Sequence, residues 1–464
     1  MKITVIGGGG VRSLFLASSL ARRTGALGIK NIVFMDNDAE KLRIFGELAL
    51  RVGRREAPDV NFSLETDPEK SLKDADYVIT TIRAGGDSAR VQDERIALSC
   101  GVIGQETTGA AGFSFAMRTI PALAYYCGII KKQAKETVKV FNFTNPAGLV
   151  SQALRDLGFH FTYGICDAPS GAMRQFAAVF GERAEALSAE VYGLNHLSFY
   201  DNIKVNGKNV MEQIMEDDRF YKETDLRFFD KGLIRHLGCI PNEYLYYYFY
   251  PESALEHMLR ADKTRGEVIE GINKNMMREL SEKNIKDGDE RTLDDCLAIY
   301  EKWFEKRETM YMASETGVPR NGTWKLNLNT EGGYAGVALH YIETARGNSR
   351  NNGMVLCVPN GNAIPGLEPD DIIEASCDIV SGEAVPHTFG SIPPARLEFI
   401  RRVKAYERLA SKAIIGSDRA LAVDALALHP LVNSYGIARR MVPQYFELNA
   451  PYGFEYAGGG TGRR

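Results

Sequence analysis

Near its start the chain reads Lys2-Ile3-Thr4-Val5-Ile6-Gly7-Gly8-Gly9-Gly10-Val11-Arg12-Ser13, and this stretch predicts the fold. It has the pattern of a short apolar strand, a glycine turn and then an amphipathic helix from Leu14 to Leu20. Glycines let the backbone approach a pyrophosphate, and the helix that follows directs free N–H groups towards it. The stretch is therefore either a dinucleotide-binding turn or a plain tight turn, since Arg12 or a neighbour replaces the third fingerprint glycine.

A second predicted strand, Asn31 to Met35, ends at Asp36. This spacing from the glycine turn is typical of the acidic residue that accepts hydrogen bonds from an adenosine ribose. A carboxylate at that position repels a 2′-phosphate, so the sequence favours NAD over NADP. The alternative is that Asp36 only caps the helix that starts near Asp38.

Three further apolar segments in the N-terminal part are predicted strands. They are Asp76 to Ile82, Val138 to Phe143 and Phe161 to Ile165. Strands that alternate with helices are typical of a doubly wound parallel sheet, and beyond about residue 170 the pattern becomes mostly helical. We predict an α/β protein with a Rossmann-like domain over 1–168, an α+β domain over 169–456 and a disordered glycine-rich tail over 457–464.

Length, charge and cysteine usage exclude several classes of protein. The 464 residues are too many for one ordinary core, which agrees with two domains. Lys and Arg number 56 against 60 Asp and Glu, and the net charge of −4 favours neither nucleic acid nor a membrane as partner. With no signal-peptide pattern and no unbroken apolar run long enough to span a bilayer, we expect a cytoplasmic protein. The seven cysteines form no C-x-x-C pair and fit reduced thiols.

The segment Tyr163-Gly164-Ile165-Cys166-Asp167-Ala168-Pro169 places a thiol and a carboxyl group between a predicted strand and a predicted helix. This is where α/β proteins keep their active sites. A lone cysteine at a strand end is most often a small buried apolar residue. About thirty residues further on, however, Gly193-Leu194-Asn195-His196-Leu197-Ser198 offers an imidazole between polar residues. Cys166, His196 and a carboxylate together have the composition of a divalent-metal site.

Polar loops that follow two of the strands are candidate substrate-binding segments. Arg83 and Arg90 flank a glycine-bearing loop, which is either a solvated loop or a site for an anion that arginine binds through two hydrogen bonds. Gly104-Gln105-Glu106-Thr107-Thr108-Gly109 opens a helix, and capping explains only part of its polarity. Asn145 stands beside Pro146 at a helix start, where it is free to contact cofactor or sugar.

Pro241-Asn242-Glu243-Tyr244-Leu245-Tyr246-Tyr247-Tyr248-Phe249-Tyr250 is a dense aromatic stretch. Most of its rings are expected in the core or in a subunit interface, and one tyrosine is a candidate base. The stretch favours a homo-oligomer, either a homodimer or a homotetramer.

Taken together, these stretches resemble glycoside hydrolase family 4, the NAD- and metal-dependent glycosidases, and within it the 6-phospho-β-glucosidases. The resemblance runs nearly end to end and includes Asn142-Phe143-Thr144-Asn145-Pro146 and Ser349-Arg350-Asn351-Asn352-Gly353. It implies a small phosphorylated glycoside as substrate, NAD and a divalent metal such as Mn²⁺ as cofactors, and a C-terminal domain similar to that of lactate and malate dehydrogenases. It also implies a redox-neutral cycle: C3 of the sugar is oxidised, the aglycone is eliminated, water adds, and C3 is reduced again.

The same resemblance implies roles for single residues. Cys166 and His196 are implied as catalytic metal ligands, and Tyr244 as the base that removes the proton from C2 of the sugar. The residues implied to bind substrate are Arg83, Arg90, Glu106, Asn145 and Asp167. Those implied to bind the cofactor are Gly7, Gly9, Gly10, Asp36 and Asn145.

Two positions depart from the pattern of the 6-phospho-β-glucosidases. Asp167 follows the cysteine, as in the phospho-α-glucosidases, whereas the β-specific members carry Asn, so the anomeric preference stays open. In the loop after Arg83, Arg90 and Asp93 match the family while Val91 and Gln92 do not.

Two other classes of function remain as alternatives. An NAD-dependent 2-hydroxyacid dehydrogenase also pairs a Rossmann half with an arginine-bearing loop, but it needs a His–Asp pair and no metal. A non-catalytic NAD-binding sensor would not need Cys166, His196 and Tyr244 together.

Overall fold

Two β-sheets and the helices around them make up the computed structural model, which describes residues 1–319, 324–328, 334–347 and 353–452. The strands of these described residues, in chain order, are β1 (Lys2–Ile6), β2 (Asn31–Met35), β3 (Asn61–Glu65), β4 (Tyr77–Thr80), β5 (Lys139–Asn142), β6 (Thr162–Gly164), β7 (Leu187–Leu194), β8 (Leu197–Val205), β9 (Lys208–Asn209), β10 (Ile240–Pro241), β11 (Met354–Pro359), β12 (Ile372–Val380) and β13 (Glu383–Pro386).

The larger sheet has the strand order β13-β12-β11-β6-β5-β4-β1-β2-β3. The six strands from β6 to β3 run parallel, with Ile3 of β1 opposite Ile32 on one side and Tyr77 on the other. This is the doubly wound parallel sheet predicted from the sequence, and the order of the strands switches direction between β1 and β4. Ligands of such sheets bind at the carboxyl ends of the strands, at that switch point.

The C-terminal part of the chain extends the same sheet with three antiparallel strands. β11 pairs with β6 at Cys357 and Gly164, and β12 and β13 follow as antiparallel neighbours. β11 begins directly after Gly353, the last residue of the Ser349-Arg350-Asn351-Asn352-Gly353 motif. Residues 349–352 of that motif and the tail over 457–464 lie outside the described residues.

A smaller antiparallel sheet is formed by residues 187–241, in a part of the chain where the sequence pattern predicted mostly helices. β7 and β8 form a hairpin, β10 and β9 pair with β8, and β12 of the larger sheet packs against β7. The ends of the hairpin next to its turn are buried on both faces, so the alternation of apolar and polar residues that indicates a strand is absent there.

The helices fall into two sets, those of the N-terminal part and those that follow. The first set is α1 (Ser13–Ala21), α2 (Thr24–Leu27), α3 (Ala39–Lys41), α4 (Glu47–Glu56), α5 (Pro68–Leu72), α6 (Gly86–Ser99), α7 (Gly109–Gln133), α8 (Ala147–Asp156) and α9 (Ala168–Phe180). The second set is α10 (Met211–Glu216), α11 (Asp218–Glu223), α12 (Lys231–Leu237), α13 (Tyr246–Phe249), α14 (Pro251–Arg260), α15 (Arg265–Ser281), α16 (Glu290–Thr309), α17 (Ala313–Thr316), α18 (Tyr334–Ala345), α19 (Pro394–Ile415), α20 (Arg419–Leu428) and α21 (Tyr435–Asn449).

One hydrophobic cluster joins the N-terminal part to helices from the C-terminal part. Leu14 of α1 and Leu48 of α4 pack with Met276 of α15 and Tyr300 of α16. The Tyr300 hydroxyl also donates to the carbonyl oxygen of Val11, at 2.9 Å. Helices of the predicted second domain therefore rest directly on the glycine turn.

Helix α7 is long and apolar enough to cross a membrane by length and composition alone, and it is the single helix of this kind among the described residues. Its sequence contains Ser114, Arg118 and Thr119, so the apolar run is not unbroken. In the structure 72 % of its most apolar window is buried inside the protein, as in the core helix of a globular protein.

Candidate active site

The glycine turn lies at the carboxyl end of β1, against the loops that follow β2 and β4. Gly7 has φ 95°, and a Cβ atom there would lie 2.5 Å from the carbonyl oxygen of Thr81. Only glycine fits such a close approach in a left-handed backbone. At Gly9 and Gly10 an added Cβ would meet backbone atoms at 2.9 and 3.0 Å.

Asp36 binds this turn directly. Its Oδ2 accepts from the Gly9 N–H at 2.9 Å and its Oδ1 from the Asp38 N–H at 3.0 Å. The helix cap is instead Asp38, whose side chain accepts from the Lys41 N–H of α3. Burial raises the pKa of Asp36. The alternative that Asp36 only caps the helix is therefore wrong, since the carboxylate faces the glycine turn.

Cys166 lies between the end of β6 and the start of α9, and only 8 % of it is exposed. Burial raises the pKa of its thiol well above the usual range, and the charge of Glu374 raises it further, while the Ala168 N–H at the helix start opposes the shift. Its neighbour Asp167 forms an ion pair with Arg12, which stands at the end of the glycine turn: Asp167 Oδ2 lies 3.6 Å from Arg12 Nη1. The predicted cofactor turn and Cys166 are thus adjacent.

His196 occupies the tight turn of the β7–β8 hairpin with a left-handed backbone, φ 62°. Burial lowers the pKa of its imidazole to about 3, so the ring is neutral. The Thr107 hydroxyl donates to Gln105 Oε1 at 3.0 Å and lies 3.1 Å from His196 Nδ1. This pattern assigns the ring proton to Nδ1 and leaves the Nε2 lone pair for a cation.

Tyr244 stacks on His196, with ring centroids 3.7 Å apart and ring planes at 4°. It lies on a 3₁₀ turn, Glu243–Leu245, whose first amide is capped by the Asn242 side chain: the Tyr244 N–H donates to Oδ1 at 3.0 Å. Burial raises the pKa of the Tyr244 phenol well above its usual range, and the charges of Glu243 and Cys166 add to the effect. Tyr244, His196 and Cys166 therefore form one cluster.

The candidate substrate arginines converge on Glu106. Arg83 Nη1 lies 2.7 Å and Arg90 Nη1 2.8 Å from Glu106 Oε2, and Arg90 Nε also donates to Glu94 at 2.7 Å. Burial alone would raise the pKa of Glu106, but these two guanidinium groups lower the pKa to about 2. The charge of Glu106 acts on both His196 and Tyr244, so the arginine group borders the aromatic cluster.

Asn145 lies at the carboxyl end of β5, where its Oδ1 accepts from the Ala147 N–H at 3.3 Å. In the described contacts, Asn145 acts as a turn residue. Its roles in binding the cofactor and the sugar stay predictions.

Several residues of this region carried no signal that sequence reasoning recognised. Glu374 of β12 accepts hydrogen bonds from Asn195 and Ser198, on either side of His196. Arg265, at the start of α15, bonds the Arg307 carbonyl oxygen through Nη2, and its buried Nη1 has no hydrogen-bond partner among the described residues. Neither residue belongs to a motif with a recognisable pattern, so only the folded chain brings them to the site.

The described residues contain no group of three or more His, Cys, Asp or Glu side chains that could enclose a metal ion. Cys166 and His196 would supply one sulfur and one nitrogen ligand. Such a pair fits a catalytic cation, which keeps coordination positions open for water or for substrate oxygens. It does not fit a closed structural site.

Two family models match almost the whole chain. Residues 2–182 match the model described as family 4 glycosyl hydrolase, and residues 191–432 match the family 4 glycosyl hydrolase C-terminal domain.

Curated relatives align over nearly their full length. The 6-phospho-beta-glucosidase BglT of Thermotoga maritima is 30 % identical, and the alignment covers 97 % of this chain and 99 % of the relative. A probable 6-phospho-beta-glucosidase of Bacillus subtilis is 29 % identical, with 97 % of each chain covered. The phospho-alpha-glucosidase PagL of Clostridium acetobutylicum is 26 % identical, over 97 % of this chain and 98 % of the relative.

Solved structures show the same fold. The Thermotoga maritima 6-phospho-beta glucosidase with manganese, NAD+ and glucose-6-phosphate superposes with a TM-score of 0.78 at 27 % identity, covering 97 % of this chain and 99 % of that one. A 6-phospho-alpha-glucosidase from gut microorganisms reaches a TM-score of 0.81 at 23 % identity, covering 97 % and 98 %, which supports the fold alone.

Proposed function

The chain belongs to glycosyl hydrolase family 4, and from this premise we propose that it hydrolyses 6-phospho-β-glucosides with the help of NAD and a divalent cation. Membership of a glycosidase family sets aside the dehydrogenase and the non-catalytic sensor. The observation that carries the proposal is the stack of Tyr244 on His196 beside Cys166, next to the glycine turn. A candidate base, two candidate ligands and a cofactor turn are thereby gathered in one place.

The cofactor assignment rests on the glycine turn and on Asp36. The short approaches at Gly7 and Gly9 pack the turn tightly against the backbone of Thr81 and Leu42. The run of four glycines carries no side chains that would keep a pyrophosphate away from the backbone. Asp36, held at 2.9 Å from the Gly9 amide, stands where ribose hydroxyl groups would donate to it and where a 2′-phosphate would be repelled. We therefore assign NAD rather than NADP.

Cys166 and His196 would hold the cation, and Mn²⁺ is the ion we assign. When bound, the nicotinamide would exchange a hydride with C3 of the sugar, and the cation would act as a Lewis acid on the neighbouring oxygens and offset the raised pKa of Tyr244. His196 is prepared for this role, because its ring is neutral and Thr107 orients it.

The Tyr244 oxygen would take the proton from C2 of the sugar once C3 is a ketone. The electron pair of that C–H bond then forms the C1–C2 double bond, and the aglycone leaves with the electron pair of the C1–O bond and takes up a proton from water. In the reverse sense, water adds its oxygen to C1 and releases one proton to solvent, and the electron pair of the C1–C2 double bond takes back the proton from Tyr244 at C2. The stack on His196 keeps the phenol beside the ligands, so one tyrosine serves both directions.

The 6-phosphate would meet the arginine group around Glu106. Arg83 and Arg90 are already held by this carboxylate at 2.7 and 2.8 Å, so their guanidinium groups are ordered before substrate arrives. Arg265, whose Nη1 lacks a partner among the described residues, adds a further donor to this region. A phosphate can accept from several such donors at once.

One observation favours a second candidate, the 6-phospho-α-glucosides. Asp167 is the residue that the resemblance associates with α-specific members, and phospho-alpha-glucosidases align with this chain at 26 % identity. We assign the β-anomer because the relatives at 29 and 30 % identity are named for it.

Hydrolysis of four nitrophenyl glucosides tests the proposal. The α- and β-glucosides are compared with and without a 6-phosphate, in the presence of NAD and Mn²⁺. We expect turnover of the 6-phospho-β-glucoside and at least about a hundredfold lower kcat/KM without the phosphate, the loss of two charge-assisted contacts. Preference for the α-anomer would replace the β assignment, and equal rates with and without the phosphate would contradict the role of the arginine group.

A further inference from the structure

The turn that carries His196 is bonded to a carboxylate from the other sheet. Asn195 Nδ2 donates to Glu374 Oε1 at 2.9 Å, and Ser198 Oγ donates to Glu374 Oε2 at 2.8 Å. One carboxylate thus holds both sides of the His196 turn, which we define as residues 195–198. Glu374 is 1 % exposed, so its oxygens have no ready replacement for these two donors.

Sheet register places Glu374 with respect to Cys166. Glu374 of β12 lies opposite Cys357 of β11, and Cys357 lies opposite Gly164 of β6, two residues before Cys166. The three residues form a line across three paired strands. A ladder of backbone hydrogen bonds therefore connects the strand that ends at Cys166 with the carboxylate that holds the His196 turn.

The same network reaches Tyr244 through Asn242. Asn242 is fully buried, its Nδ2 donates to Ser198 Oγ at 3.3 Å, and its Oδ1 accepts from the Tyr244 N–H at 3.0 Å. Its backbone N–H also donates to the Ser198 carbonyl oxygen at 2.9 Å. The hydrogen bonds form a chain with one direction: Asn242 Nδ2 donates to the Ser198 hydroxyl, and this hydroxyl donates to Glu374.

The backbone at His196 needs such support. A non-glycine residue with φ 62° is in a sparsely populated region, and Gly193 at φ 136° precedes it in the same hairpin. Strained conformations persist where surrounding contacts over-determine them, at a cost of about 1–3 kcal/mol each.

We propose that Glu374 is a positioning residue: it fixes the His196 turn against the strand that carries Cys166, and through Ser198 and Asn242 it keeps Tyr244 in register. This inference rests on the proposed metal site, whose two ligands come from different sheets. Residues that orient metal ligands from outside typically change metal affinity 10- to 100-fold when removed.

Two variants and a matched control test this role. Glu374→Leu removes both acceptors at similar volume, and Ser198→Ala cuts the link to Asn242 with a smaller change. Ser376→Ala is the control, because Ser376 lies on the same strand and its buried hydroxyl instead accepts from the Val191 N–H at 3.0 Å. All three remove buried hydrogen bonds between the two sheets or within the smaller one, so loss of stability is common to them.

Mn²⁺ titrations followed by electron paramagnetic resonance should show dissociation constants roughly 10- to 100-fold higher for Glu374→Leu and Ser198→Ala than for wild type. The Ser376→Ala control should bind Mn²⁺ within about twofold of wild type. All three variants should bind NAD like wild type, since the hydrogen bonds they remove do not involve the glycine turn. Equal Mn²⁺ affinity in folded Ser198→Ala and Ser376→Ala would overturn the proposal.

A second readout needs no metal. Amide exchange over residues 195–198 should be at least about tenfold faster in Ser198→Ala than in the control, because the turn loses one of its two hydrogen bonds to Glu374. A wild-type protein that binds no Mn²⁺ would count against the proposed function alone. Exchange in this turn that Ser198→Ala leaves unchanged would then overturn the role of Glu374.

Discussion

At the scale of single residues, Asp36 and Asp38 stand two positions apart and do different work. Asp36 accepts from the Gly9 amide of the glycine turn, whereas Asp38 accepts from the Lys41 amide and caps α3. The sequence places both acids after β2 and shows no difference between them. Which one faces the glycine turn depends on the path of the loop, which runs so close to Gly9 that an added Cβ atom there would lie 2.9 Å from the backbone nitrogen of Leu42.

This difference provides a controlled test of the cofactor assignment. Asp36→Ala should weaken NAD binding at least about tenfold and narrow the preference over NADP, because the ribose acceptor and the repulsive charge are lost together. Asp38→Ala should cost about 1 kcal/mol of stability as a lost helix cap and leave the ratio of NAD to NADP affinity unchanged. Fluorescence titrations with both nucleotides measure this. The same ratio in both variants would contradict the role of Asp36.

Arg83 offers a test of phosphate recognition that spares the fold. It is 31 % exposed in its side chain and shares Glu106 with Arg90, which is buried and also pairs with Glu94. Arg83→Ala should lower kcat/KM for the 6-phosphorylated glucoside by about 2 kcal/mol, or roughly thirtyfold, and affect the plain glucoside far less.

Arg95→Ala is the matched control, since Arg95 lies on α6, the helix that follows the loop of Arg83, and pairs with Glu267 at the surface. Its removal should change neither substrate's kcat/KM by more than about twofold. If Arg83→Ala slows both substrates to the same extent, Arg83 supports the site as a whole and does not recognise the phosphate.

At the scale of elements, five of the six parallel strands were predictable because each is a short apolar run beside a glycine or polar loop. The edge strand β3, Asn61–Glu65, was not predicted, since it is mostly polar and only partly buried. β1 and β2 have the predicted bounds, and the bounds of β4, β5 and β6 differ by one or two residues. The β7–β8 hairpin was not predicted. Its residues near the turn are buried by β12, which comes about 180 residues later in the chain, so local periodicity carries no information about them.

The end of α20 brings a histidine into the core, and this has a consequence for stability at low pH. Burial and the nearby charge of Arg402 lower the pKa of His429 from 6.5 to about 3. The unfolded chain takes up a proton on this ring below pH 6.5 and the folded protein does not. The stability that His429 contributes as a neutral residue is therefore complete above pH 6.5 and is lost progressively as the pH falls towards 3.

Urea unfolding of wild type and His429→Gln at two pH values measures this contribution. The variant should be less stable near neutral pH, because the ring packs at 4.5 Å against Tyr406 and lies 3.4 Å from the Tyr248 hydroxyl. The difference in unfolding free energy between wild type and variant should narrow by about 2 kcal/mol between neutral pH and about pH 5. This figure follows from roughly 1.4 kcal/mol per pH unit below the pKa of the unfolded chain. A gap that does not change with pH would show that His429 takes up its proton in the folded state.

At the scale of the whole molecule, the candidate metal ligands come from both sheets. Cys166 follows β6 of the larger sheet, and His196 lies in the hairpin of the smaller one. The sequence motifs predicted both residues as ligands. They could not indicate that Glu374 of the larger sheet bonds the hairpin that carries His196. That contact requires the antiparallel extension β11–β12, whose pairing with β6 is set only in the folded chain.

A cation shared by two sheets should stabilise the fold by mass action. At a Mn²⁺ concentration about 100-fold above the dissociation constant, the gain is about 2.7 kcal/mol, seen as a rise in melting temperature of a few degrees. Cys166→Ser should fold, since a hydroxyl replaces a thiol of similar size, but its melting temperature should not respond to Mn²⁺. Chelator should abolish wild-type activity and Mn²⁺ restore it. An equal Mn²⁺ response in Cys166→Ser would remove Cys166 from the ligand set.

Tyr244 is proposed to remove the C2 proton during glycoside cleavage, and a substrate deuterated at C2 tests this role most directly. Wild-type turnover in ordinary water should replace that deuterium with solvent hydrogen in the product, because the proton passes through the Tyr244 oxygen. Tyr244→Phe keeps the ring stacked on His196 and should reduce kcat by about 10²- to 10⁴-fold, with exchange slowed alike. Complete retention of the C2 deuterium in the wild-type product would contradict the account, because the C–H bond at C2 would then never break.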